Sequence, residues 1–233
     1  MKKMNPLLPV ALVLAVVSPQ VLAKDVTVMI SGGFKAALEK LAPQFEAASG
    51  DSIILGSGPS MGKTPQAFPA RLARGERADV VIMVGEALDN LQKENWLQRG
   101  SRVELADSSI GMVGKQGAPQ PRFKTTAELR DTLLHAKSIA YSDSASGRYV
   151  SSQLFKKLGI EEQVKEKAHM IERIPVASEV AKGTYTLGFQ QVSELLPVPG
   201  VTFIGELPEN LQYITRFAGA VTANADHRRE GKA

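Results

Sequence analysis

A chain of 233 residues is long enough for one large or two small domains, and 43% hydrophobic against 22% charged residues leaves ample material for a core. The formal charge of +4 is spread without a basic run and beside only 6% aromatic residues, which argues against a nucleic-acid binder. Cysteine is missing altogether, which excludes disulfides, thiolate catalysis and thiolate metal sites.

Lys2 and Lys3, the apolar run Leu7–Val17 and the small-x-small triplet Val21-Leu22-Ala23 predict a cleavable signal peptide over residues 1–23. The run falls short of the about 20 apolar residues a membrane helix needs, so the mature chain is expected from Lys24, in the periplasm and not embedded in a membrane. Losing two lysines and no acid takes the charge from +4 to +2.

Val26–Ile30 is a short apolar run and predicts a buried strand. Ser31-Gly32-Gly33 is a tight turn. Phe34–Ala48 then carries Leu38, Leu41 and Phe45 at helical spacing, and Gly50 stops it. With a strand at Ser52–Leu55 this makes a βαβ unit and a parallel sheet. The loop Gly56–Thr64, a helical run and the apolar strand Ala78–Val84 follow.

Further elements are a helix over Ala87–Gln98, an extended run or strand pair over Val103–Val113, and a Gly/Pro loop to Arg122. A helix over Ala127–Ala136 is expected with Thr126 as its cap. Ser138–Tyr141 predicts a strand, Ser142–Gly147 a loop and Arg148–Leu158 a helix, a second strand–loop–helix unit well after the first. Leu187–Gln190, Val201–Ile204 and Tyr213–Val221 complete the strands. Asn224–Ala233 reads as the start of a helix with no apolar face, which points to a truncated final helix. The expected organisation is lobe 1 over 24–105, lobe 2 over 106–200, and a return to lobe 1 over 201–233.

Gly62-Lys63-Thr64 invites a nucleotide-binding reading, but the motif requires glycine where Ser57 stands. Two readings remain for this loop. Ser57, Ser60 and free backbone N–H groups hold an anion, with Lys63 adding charge. Alternatively it is a glycine turn with Thr64 capping a helix and Pro65 in its first turn. Ser31-Gly32-Gly33 repeats the device on the first strand, and Ser144, Ser146 and Gly147 repeat it in the second half, with Arg148 able to pair with a carboxylate. All three loops fall at strand ends, where open α/β sheets bind ligands. Gln190 and Gln191 follow a buried strand and form the polar pair expected inside the cleft. His135, His169 and His227 are scattered and make no metal constellation; neither metal nor cofactor is expected.

These residues together resemble the periplasmic molybdate-binding protein family of ABC-transporter solute receptors. The likeness runs through Val26–Phe45, Ala78–Ile82, Lys156–Gly159 and Leu187–Phe189. It implies an α/β chain of the two-lobed, type II periplasmic binding protein fold, with mixed, mainly parallel sheets closing on an oxyanion without metal. The family's first-loop serine falls at about Gly33, its second-loop serines at Ser57 and Ser60, its third loop at Ala145–Gly147, its tyrosine at about Gln191 and a backbone donor near Arg173. The added cations Lys63, Arg148 and Arg173 suit an organic polycarboxylate better than a compact oxyanion. The segments Ser31–Phe34, Gly58–Thr64, Asp143–Gly147 and Gly188–Leu195 are similar to a divergent subgroup, the bacterial aconitate isomerases. That resemblance implies a proton shift needing a base, for which Glu194 and Tyr149 are candidates.

The first expectation is therefore a monomeric solute receptor that delivers a small anion to an ABC-transporter permease. The alternative is an isomerase interconverting trans- and cis-aconitate on the same fold. A regulatory effector-binding domain is the outlying third, opposed by the signal peptide.

Overall fold

The structure is a computed structural model, and it describes residues 22–233. The expected signal peptide lies outside them except for Leu22 and Ala23. The chain runs β1 (Asp25–Ile30), α1 (Gly32–Ser49), β2 (Ser52–Ser57), α2 (Phe68–Ala73), β3 (Val80–Val84), α3 (Gly85–Lys93), β4 (Val103–Ser108) and β5 (Ile110–Lys115). It continues through α4 (Thr126–His135), β6 (Ile139–Ser142) and α5 (Ala145–Tyr149), which passes through a π turn into α6 (Phe155–Lys157). Then come α7 (Glu161–Val164), β7 (Ala168–Ile171), α8 (Val176–Lys182), β8 (Leu187–Gln191), α9 (Val192–Leu195), β9 (Val201–Glu206) and β10 (Thr215–Val221). No helix among the described residues is long and apolar enough to cross a membrane.

The strands form two five-stranded sheets, ordered β2-β1-β3-β10-β4 and β7-β6-β8-β5-β9. Both share one plan. Three parallel strands are centred on β1 or β6, and two antiparallel strands follow at one side. The two strand–loop–helix units read in the sequence therefore start from β1 and β6, the middle strands of the two parallel triplets.

Each lobe has its own core. Met29, Phe68, Leu72, Met83, Leu88 and Phe217 pack in the first, and Met112, Leu129, Ile139, Leu154 and Phe189 in the second. Strands covered on both faces explain the uninterrupted apolar run over Val80–Val84 and the one over Val26–Ile30, broken only by Thr27.

The crossings between sheets differ from the expected boundaries. Val103–Val113 is not a hairpin: β4 belongs to the first sheet and β5 to the second, with Ser109 alone between them. The first lobe thus extends to Ser108, not 105. β9 pairs with β5, so the chain returns to the first lobe with β10 at Thr215 instead of at 201. Helix starts shift as well. α4 is capped by Thr125, whose hydroxyl accepts from Glu128 N in a capping box, and not by Thr126. The tail forms no α-helical turn, only a 3-10 turn over Glu230–Lys232, tied back by the Lys24–Glu230 pair and by His227 N donating to Asp79.

Candidate functional site

The parallel strands of both sheets end on a cavity of about 460 Å3 between the lobes. This is where open α/β sheets leave room for a ligand, because the loops diverge there and helix N-termini point inward. From the first lobe, β1 delivers Gly32 and Lys35 in the first turn of α1, and β2 delivers Ser57, Gly58 and Pro59. From the second lobe, β6 delivers Asp143 and Ser144, β7 leads to Arg173, and β8 with α9 delivers Gln190 and Glu194. A hydrogen bond from Ser193 Oγ to the Gly33 carbonyl, 2.6 Å long, joins α9 to α1 between the lobes.

The polar groups are held by short chains of contacts. Val176 N donates to Gln190 Oε1 at 3.0 Å, so the amide group of Gln190 faces the other way and donates to Glu194 Oε1, also at 3.0 Å. Glu194 is half-buried because its carboxyl opens onto the cavity, yet protein encloses it closely. Enclosure, with the charge of Asp143 adding to it, pushes the Glu194 carboxyl up to about 8 despite the Gln190 hydrogen bond. Burial raises Asp143 too, helped by Glu172 and partly offset by backbone N–H groups and Arg173. Asp143 Oδ2 is buried and has no hydrogen-bond partner among the described residues. Arg173 sits at φ +67°, a left-handed conformation rare for a residue with a side chain. The cleft thus combines two cations with two carboxyls that resist ionisation.

Five of the sequence-predicted site residues line this cavity: Gly32, Ser57, Ser144, Arg173 and Gln190. The others serve the fold or face elsewhere. The buried hydroxyl of Ser60 accepts from Val84 N at 2.9 Å, and the Ser146 hydroxyl is spent on Ser142 Oγ at 2.9 Å. Ser31 is buried where β1 meets α1, and its N–H donates to Ile82 O. Gly33 and Gly147 are close-packing positions, where a Cβ would meet the Phe217 ring and the Ser142 carbonyl respectively. Gln191 is buried and donates to Thr215 Oγ1 at 2.9 Å. Lys63 is exposed and outside the lining, and its loop is not a helix start: α2 begins only at Phe68. Arg148 points into a separate hollow with Glu86 and Tyr213. Tyr149, a candidate base, lies there too and donates its hydroxyl to Leu211 O at 2.5 Å.

Sequence reasoning did not place Lys35, Asp143 or Pro175 in the site, and it named Glu194 only as a candidate base. Glu194 falls in the first turn of the short helix that follows Gln190, a position that carried no mark of its own in the sequence. A larger groove of about 560 Å3 crosses the outer face of the first sheet, past Leu38, Leu41 and Phe45. Its walls are mainly apolar and lack convergent polar groups, so its chemistry does not suit an anion.

The family model described as "Bacterial extracellular solute-binding protein" matches residues 26–233. The aconitate isomerase of a Pseudomonas sp. is 42% identical over 231 residues, covering 98% of this chain and 88% of that protein. The molybdate-binding protein ModA of Azotobacter vinelandii is 27% identical over 184 residues, 74% of this chain and 67% of that one. The solved structure of the A. vinelandii periplasmic molybdate-binding protein superposes with a TM-score of 0.68 at 19% identity, covering 89% of each chain. With its two lobes of mixed sheet and the cleft between them, the chain belongs to the bacterial extracellular solute-binding protein family and has the ModA-like, type II periplasmic binding protein fold.

Proposed function

We propose that the cleft binds a small organic polycarboxylate and moves a double bond in it, interconverting trans- and cis-aconitate. The observation that carries this reading is the mixed lining. Lys35 and Arg173 attract carboxylates, while Asp143 and Glu194 stand in the same wall with their ionisation held back. A compact tetrahedral oxyanion would fill little of about 460 Å3. A carboxyl whose ionisation is held back can serve an allylic proton shift, which uses one group as base and then as acid with a pKa near the working pH. The 42% identity to the aconitate isomerase, over nearly the whole chain, supports the same substrate class.

The second reading is capture without chemistry, with delivery of the anion to an ABC-transporter permease. The family description favours it. A protonated Glu194 would then donate a hydrogen bond to the ligand. Both readings put the mature protein in the periplasm, consistent with the leader read over residues 1–23.

One experiment separates them. Purified protein is incubated with trans-aconitate and the proton NMR spectrum is followed, with titration calorimetry on trans-aconitate and molybdate in parallel. Formation of cis-aconitate is the expected result. Tight aconitate binding without turnover favours the receptor, and tight molybdate binding restores the oxyanion reading.

A further inference from the structure

We propose that Glu194 is the group that moves the proton and that Gln190 is the residue that positions it. The assignment rests on the isomerase reading above. Its basis is geometric. The Gln190 amide has only one orientation that lets Val176 N donate to its oxygen, and in that orientation its NH2 group holds Glu194 Oε1. Oε1 is thereby occupied, and Oε2 is the atom left to take or give a proton. Gly32 leaves the space this carboxyl needs, since a Cβ there would overlap Oε1. The charged groups facing the same cavity are Lys35 from α1, Arg173 from the loop before α8 and Asp143 from the loop before α5. The cations hold carboxylates of the substrate, and Asp143 raises the basicity of Glu194 once that group is ionised. Tyr149 is not available for the task, because its hydroxyl is engaged on Leu211 O outside the cavity.

The step balances without a co-reactant. Ionised Glu194 takes a proton from the methylene carbon of the bound acid, and the C–H pair becomes a new double bond to the central carbon. The former π pair is displaced onto the old vinyl carbon, which takes a proton from the same carboxyl. Glu194 ends as the carboxylate it began as, and nothing is oxidised or reduced.

The test uses the full chain with trans-aconitate, comparing wild type, Glu194→Gln, Glu194→Asp and Gln190→Ala. Glu194→Gln should lower turnover by about a thousandfold while its calorimetric Kd stays within about threefold of wild type. Glu194→Asp, which keeps the acid one methylene short, should retain a small part of the rate and serves if Glu194→Gln fails to fold. Wild-type kcat/KM should rise with pH to a limb near 8. In Gln190→Ala that limb should move higher, because the lost hydrogen bond had favoured the carboxylate. Glu194→Gln turning over within about tenfold of wild type overturns the assignment. So does a loss of turnover matched by an equal loss of binding. Aconitate binding by wild type with no turnover at any pH removes the isomerase reading itself, and the assignment with it.

Discussion

The Glu194 carboxyl occupies the space where Gly32 would carry a side chain: a Cβ built on Gly32 overlaps Oε1. The first turn of α1, in one lobe, is thus shaped around a carboxyl from the other. Gly32→Ala should displace that carboxyl from Gln190 rather than break the helix, because the obstructing atom ends a flexible side chain. Thermal stability should change by less than about 1 kcal/mol, since alanine is the better helix former. Turnover of trans-aconitate should fall about 10- to 100-fold. A variant that melts normally and turns over at the wild-type rate would show that the contact is incidental.

Stability should depend on pH through Glu194. An unfolded glutamate titrates near 4.5, whereas in the fold this one is pushed up to about 8. Between those values the folded chain holds a proton that the unfolded chain has released. The folded state is therefore favoured at the acid end of the window and loses that stability as pH rises through 8. Asp143, raised first by burial, acts with the same sign. The full shift is discounted because the carboxyl opens onto the cavity, leaving about 1–2 kcal/mol. Urea melts at about pH 5.5 and pH 8.5 should show that difference in wild type and a smaller one in Glu194→Gln. An equal difference in the two proteins would assign the pH dependence to other groups.

The fold was legible wherever burial writes a simple pattern. Val26–Ile30 and Val80–Val84 lie in a covered sheet and read as apolar runs, the first broken only by Thr27. β7 (Ala168–Ile171) was not legible, because it is an edge strand that leaves His169 and Met170 exposed and so has no apolar run. The cleft was half legible. Glycine and serine at strand ends identified the right loops but not the right atoms. A serine hydroxyl there can turn toward a ligand or back onto a backbone N–H, as Ser60 does on Val84, and composition does not distinguish these. Lys35 was hidden because one lysine in a helix of mixed charge carries no mark of facing a hollow. The last β9 crossing was hidden for a different reason: pairing partners distant in sequence are set by the sheet edge that is free, not by any local signal.

Lys35 and Lys63 should behave oppositely. Lys35 lines the cavity at the N-terminal turn of α1, where helix and side chain present positive charge together, and Lys63 is exposed outside it. Lys35→Ala should weaken trans-aconitate binding about tenfold, or about 1.4 kcal/mol, and Lys63→Ala by less than about twofold. Calorimetry in low salt reads both. The reverse ranking would mean that the loop 58–66 folds over the ligand and brings Lys63 to it.

Tyr149 is a structural tether, and its removal should separate stability from function. Its hydroxyl donates to Leu211 O at 2.5 Å and accepts from Lys157 Nζ at 3.2 Å, while its ring stacks on Tyr213 with centroids 5.0 Å apart. Leu211 and Tyr213 belong to the segment that carries the chain from β9 back to β10, so the contact fixes α5 against the crossing between lobes. Tyr149→Phe keeps the stack and leaves a buried carbonyl without its donor, which should cost about 1–2 kcal/mol in a denaturant melt. Aconitate affinity and turnover below the melting transition should be unchanged, because the hydroxyl does not reach the cleft. Loss of turnover with unaltered stability would bring the phenol into the reaction and count against Glu194 as the sole proton carrier.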